Sequence, residues 1–244
     1  MLIGRALVDG RAVDVRWSPD GPVPISVPDD GDDIACGGHD IAGPRADAEL
    51  IAPAAPVVLV GIAQNGPRHP APVQAWLKSP RTIVPSGRTV RLRRDAGQSV
   101  AEGEIAVVIG RDCTELTAAT AERFVRGVTA VNDLSSPDRT VIDVRNFESK
   151  SGVGYTPLGP WIDTAADIDR VALGLEIDGA VVAQTDAAAL PVSIRDCLAY
   201  VASWTPLGPG DVVMTGAPFS AAAVQPGHRI DVIVGGVRLT TPTS

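Results

Sequence analysis

The sequence predicts a mixed, strand-rich α+β fold, with a small N-terminal subdomain over residues 1–50 and a main domain over 51–244. The chain's 25 Gly and 21 Pro favour turns and loops over long helices. Its apolar runs are short and end at Gly, Pro or Asp, as strands do. No regular strand–helix alternation and no internal repeat is present, which disfavours a Rossmann fold or a TIM barrel.

Taken in order, residues 1–16 alternate apolar and polar side chains and read as two short strands turned at Asp9-Gly10. Residues 17–48 are rich in Gly, Pro and Asp and read as loops and short strands. The run Val57 to Val60 predicts a buried strand ending at Gly61. Residues 117–128 predict a helix capped by Thr117, since Ala121, Phe124, Val125 and Val128 fall at helical spacing. A short strand is expected in TAVNDL. A second helix begins at Ser193 with Ile194, Cys197, Leu198 and Val201 on its buried face. The turn LGPGD and a strand in VVMTG follow, and IDVIVGGVRLTT predicts a hairpin turned at Gly235-Gly236.

A length of 244 residues permits a substantial core. The net charge of −8 argues against nucleic acid, whose phosphates require a basic surface. It does not exclude a small anionic substrate, because a bound metal reverses the local field. Three scattered cysteines, Cys36, Cys113 and Cys197, have no ligand spacing and suit a reducing compartment. There is no signal-peptide pattern and no stretch long enough to span a membrane. A cytoplasmic protein with no membrane partner is expected.

The segment AEGEIAVVIGR, residues 101–111, places two glutamates at the mouth of an apolar run. In a strand, Glu102 and Glu104 share a face. Two such carboxylates repel, and one tends to take a proton unless a cation relieves them. Hard oxygens of this kind suit magnesium, manganese or calcium. A solvated strand end is the plainer reading of the pair alone. Asp133, at the end of the next expected strand, would complete a three-carboxylate set.

The order of EGEIAVVIGR, NDLS, a lysine seven residues before a proline, PLGPW and LGPGDVVMTGAP resembles the fumarylacetoacetate hydrolase family. The resemblance spans roughly residues 50–244. It implies a mixed β-sandwich roll, a homodimer and a divalent cation, Mg2+ or else Mn2+ or Ca2+, held by Glu102, Glu104 and Asp133. It also implies a small 2-oxo or 1,3-dicarbonyl acid as substrate. Lys150, in ESKSGVGYTPLGP, matches the lysine that holds substrate oxygens, and Thr215 and Gly216 match a pair bordering the substrate. His69, in QNGPRHP, matches the family histidine. Read without the resemblance, Lys150 and His69 are ordinary solvated residues.

On this pattern His69 would draw a proton from water, the hydroxide would attack the distal carbonyl, and C–C cleavage would leave an enolate held by the metal and Lys150. The chain departs from the family around that chemistry. The glutamate expected three residues after the histidine is Pro72, and the tyrosine after Asn65 is Gly66. The motif arginine is Pro137, the glutamine after it is Thr140, and the last motif reads Thr215-Gly216-Ala217-Pro218. Three functions follow as expectations: a C–C bond hydrolase, a decarboxylase or isomerase acting through an enolate, and a metal-binding homologue with reduced turnover.

Overall fold

A computed structural model of the chain describes residues 1–26, 39–64 and 74–244. Strands β1 (Leu2–Val8), β2 (Arg11–Arg16), β3 (Val23–Ser26), β4 (His39–Asp40) and β5 (Glu49–Ile51) precede the strands around the site. The latter are β6 (Leu59–Ala63), β7 (Gln74–Lys78), β8 (Ile83–Pro85), β9 (Ser99–Ile109) and β10 (Val125–Asn132). A single helical turn, α1 (Phe147–Lys150), leads to β11 (Thr156–Leu158), β12 (Ile162–Asp163), β13 (Ala172–Ile177) and β14 (Ala180–Asp186). Helix α2 (Ile194–Trp204) is followed by β15 (Val212–Met214), β16 (Ala221–Val224), β17 (Arg229–Val234) and β18 (Val237–Pro242). The mixed, strand-rich α+β class expected from composition is the one observed. Among the described residues no helix is long and apolar enough to cross a membrane.

Two sheets make the body. The larger runs β4-β3-β2-β1-β12-β10-β9-β15-β6-β7, with β5, β8, β11 and β16 attached at its sides, and the smaller runs β14-β13-β17-β18. Strand β9 is buried on both faces, which is why Ile105–Ile109 is continuously apolar. Ile105, Val107 and Ile109 join the large core, with Leu175 and Val232 from the smaller sheet. Ala106 and Val108 join a second core with Leu59, Val131 and Met214. Each large side chain so buried contributes about 1.5–3 kcal/mol of transfer free energy. By the period of two, Glu102 and Glu104 continue the Ala106–Val108 face.

The strands at residues 1–16 and the hairpin of β17 and β18 form as expected. So does α2, whose cap Ser193 accepts a hydrogen bond from the Asp196 N–H at 3.1 Å and whose buried face is Ile194, Cys197, Leu198 and Val201. The helix expected over 117–128 is not formed. A single 3-10 turn covers Ala121–Phe124, and from Val125 the chain is strand, paired to β9 from Val125↔Ile109 to Asn132↔Gly103. Its valines suit a strand, and pairing inside the sheet outweighs a weak helical spacing. Gly127 permits the close approach of β12, since a Cβ there would lie 2.5 Å from the Asp163 carbonyl oxygen.

The strand expected at Val57–Val60 is displaced along the chain to Leu59–Ala63. The Val57 and Val58 N–H groups donate to the Asp211 carboxylate, at 3.1 and 2.7 Å, instead of pairing in the sheet. Gly61 does not end the strand. It lies opposite Trp76, whose indole ring fills the space a Cβ would take at 2.5 Å.

Candidate metal centre

Strands β9 and β10 bring the three carboxylates together. Past the end of β10, the Asp133 N–H donates to the Glu102 carbonyl at 2.8 Å, and Ser135 and Val100 exchange two backbone bonds at 2.9 and 3.0 Å. This continued ladder sets Asp133 beside the two glutamates. One ligand oxygen from each of Glu102, Glu104 and Asp133 lies within 4.8 Å of the others. Ser135 Oγ donates to Glu102 Oε1 at 2.6 Å, and the Gly216 N–H donates to Glu104 Oε2 at 2.7 Å. Glycine is required at 216 because φ is +91° and a Cβ would lie 2.8 Å from the Ile62 carbonyl oxygen.

Two lysines face this cluster. Lys150 ends α1, and its Nζ donates to Glu102 Oε2 at 2.6 Å and to Asp133 Oδ2 at 2.7 Å. The Trp76 ring lies against the same ammonium, 5.6 Å from centroid to Nζ. Lys78, the last residue of β7, donates to the other oxygen of Asp133, Oδ1, and to the Tyr155 carbonyl at 2.8 Å. Both Lys78 and Asp133 side chains are wholly buried.

Burial would raise the Asp133 carboxyl, but the Lys150 and Lys78 ammonium groups overcome it and hold it below the usual range. Burial pushes Glu104 well above that range, the Asp133 and Glu102 charges add to this, and Lys150 and the Gly216 N–H oppose it. Burial also lowers the Lys78 ammonium. Lys150 is desolvated too, yet Asp133, Glu102 and Glu104 together hold its ammonium above the usual lysine value. A set of hard, crowded carboxylate oxygens with one member driven toward protonation fits a divalent cation.

Lys150 is thus placed with the three acids. Thr215 is buried, and its hydroxyl is engaged by the Ile105 carbonyl at 2.8 Å. Gly216 meets the cluster through its backbone. His69 lies outside the described residues, as do Gly66, Pro72 and Cys36. The segment that holds His69 joins β6 to β7, and Gln64 before it is fixed by Val192 through two bonds of 2.8 Å, beside Gly216. Pro137 opens a 3-10 turn at the position of the motif arginine. The nearby Arg139 is committed to an ion pair with Glu148 on α1. Sequence reasoning missed Lys78. Its one local signal is a lysine closing the strand QAWLK, directly before Ser79-Pro80.

Comparison with known proteins places the chain in a family. The family profile of the fumarylacetoacetate (FAA) hydrolase C-terminal region matches residues 51–241. Protein Rv2993c of Mycobacterium tuberculosis is 32% identical over 211 residues, covering 82% of this chain and 80% of that protein. The 4-hydroxyphenylacetate degradation bifunctional isomerase/decarboxylase of Salmonella dublin is 29% identical over 180 residues. That match covers 72% of this chain and only 41% of the Salmonella protein. The crystal structure of 5-carboxymethyl-2-hydroxymuconate delta-isomerase from Mycobacterium smegmatis superposes with a TM-score of 0.90 at 28% identity, covering 100% of this chain and 99% of that one. The chain belongs to the fumarylacetoacetate hydrolase family.

Proposed function

We propose that the protein is a cytoplasmic, divalent-metal-dependent enzyme that acts on a 2-oxo acid through its enolate, as an isomerase or a decarboxylase. The observation that carries this reading is the Lys150 ammonium, buried against Glu102 and Asp133 at 2.6 and 2.7 Å. A buried positive charge at the edge of a carboxylate set that would hold a cation suits negative charge that develops on a substrate oxygen. Glu102, Glu104 and Asp133 would hold Mg2+, Mn2+ or Ca2+, which when bound supplies Lewis acidity and a template for the acid's oxygens. Lys150 would donate to the enolate oxygen, and Trp76 would screen that contact from water. The names of the Salmonella and M. smegmatis relatives, an isomerase/decarboxylase and an isomerase, support the same direction.

Hydrolysis of a C–C bond in an acylpyruvate-like acid is the second reading, favoured by His69 on the connection between β6 and β7. It needs an activated water, and the residue three positions after His69 is Pro72, which cannot orient an imidazole. The test is a screen of 2-oxo acids at saturating Mg2+ with wild-type protein and His69→Ala. Decarboxylation or isomerisation that survives His69→Ala supports the enolate reading. Cleavage of an acylpyruvate that collapses by a hundredfold or more in that variant, on the order of a lost acid–base group, establishes the hydrolase instead. A homodimer belongs to the same proposal. The exposed apolar side chains Val141, Ile142, Val144, Phe147 and Val153, gathered in one segment, support it.

A further inference from the structure

The two lysines on Asp133 are held differently. Lys78 closes the edge strand β7, yet its own side chain is fully buried and is tied to both Asp133 Oδ1 and the Tyr155 carbonyl. Withdrawing its ammonium would strand a charge inside the protein. Lys150 ends a four-residue helical turn and keeps 8% of its side chain exposed. Its ammonium sits on Glu102 Oε2 and Asp133 Oδ2, an oxygen from each of two of the three clustered acids. A divalent cation bound by those acids would draw on the same two carboxylates. Lys78, in contrast, takes Asp133 Oδ1 together with the Tyr155 carbonyl and leaves Oδ2 to Lys150.

From this geometry we infer that Lys150 is a displaceable counter-ion that competes with the metal for Glu102 and Asp133, while Lys78 is the fixed counter-ion that positions Asp133 for it. The inference rests on the metal-centre reading above. Its consequence is a coupling between metal and substrate. Cation binding releases the Lys150 ammonium, which remains beside Trp76 and needs a new anionic partner. An oxyanion of a bound 2-oxo acid supplies one, so the cation and the acid bind each other's complex more tightly than either binds alone. Lys150 therefore weakens metal binding by itself and strengthens it when the anionic ligand is present.

The test is titration of Mn2+ into wild-type protein, Lys150→Met and Lys150→Arg, followed by calorimetry and by the electron paramagnetic resonance signal of free Mn2+, with and without oxalate. Charge-assisted hydrogen bonds set the expected scale. Lys150→Met binds Mn2+ about tenfold or more tightly than wild type, and the further gain from oxalate is smaller than in wild type. Lys150→Arg, which keeps the charge and the reach, stays near wild type and keeps the gain from oxalate. Equal or weaker Mn2+ binding by Lys150→Met overturns the inference and leaves the metal centre standing. An unchanged gain from oxalate in Lys150→Met also overturns it. Failure of every protein, wild type included, to bind Mn2+ overturns the inference together with the metal-centre reading. Lys78→Met adds a contrast, since competition at Lys150 and positioning at Lys78 require it to bind Mn2+ more weakly than wild type. Tighter binding there would reduce both lysines to a nonspecific charge effect and overturn the inference.

Discussion

Replacing Lys78 with methionine removes one of the two ammonium groups that balance Asp133. Both side chains are wholly buried, so no water replaces the lost partner. Breaking a buried pair from one side costs about 3–5 kcal/mol, because the remaining charge is left uncompensated. Lys150 stays on Asp133 Oδ2 at 2.7 Å, which places the expected loss near the lower end, about 3 kcal/mol. Equilibrium urea unfolding in a chelating buffer, followed by circular dichroism, reads this as a midpoint lowered by about 1 M or more. Asp133→Asn and the double variant complete a cycle, in which removal of both charges should show a coupling of about 2 kcal/mol or more. A single-variant loss under about 1 kcal/mol with no coupling would refute the account of Lys78 as a buried counter-ion.

Five further expectations rest on the same structure. Glu104, raised by burial and then by Asp133 and Glu102, gives up a proton when a cation binds, so metal affinity climbs with pH above the usual carboxylate range; calorimetry in buffers of different ionisation enthalpy reads the released proton. Burial pushes the Cys113 thiol up to about 11 and Cys197 to about 12, so both resist iodoacetamide at pH 8 until the chain is unfolded, as peptide mass spectrometry will show. Unfolding lets these thiols ionise earlier, so the unfolded chain loses protons first and stability falls as pH rises from about 9 toward 12, read as a declining urea midpoint. Gly216→Ala forces a Cβ against the Ile62 carbonyl and disturbs the N–H that holds Glu104; it should cost about 1–3 kcal/mol in urea unfolding and weaken Mn2+ binding. Ile142→Asp with Val144→Asp should convert the proposed dimer to a monomer by light scattering without loss of the fold, and an unchanged mass would remove that segment from the interface.

The glutamate pair was legible because a period of two is a property of the strand itself, and the apolar run after it marks that strand as buried. Asp133 and Lys150 carried no such local signal; the order of motifs in the chain pointed to them, and the ladder beyond β10 and the turn α1 bring them to Glu102. Lys78 was hidden for a different reason. Its role exists only because β7 pairs with β6 and sets residue 78 against an acid 55 positions away in sequence. The stretch after Thr117 misled because Ala121, Phe124, Val125 and Val128 fit helical spacing, whereas β10 is buried over most of its length and displays no alternation. The displaced strand at Leu59 has a similar origin, since a distant aspartate, Asp211, takes the N–H groups of Val57 and Val58.

The central claim is that Glu102, Glu104 and Asp133 hold a cation at which Lys150 meets the enolate of a 2-oxo acid. Calorimetric titration of oxalate, a stable mimic of such an enolate, tests it most directly, with and without Mg2+, in wild-type protein and Glu102→Ala. The account predicts oxalate binding that requires Mg2+ and is lost in Glu102→Ala. Oxalate that fails to bind the wild-type protein at saturating Mg2+, or that binds Glu102→Ala equally well, would contradict it.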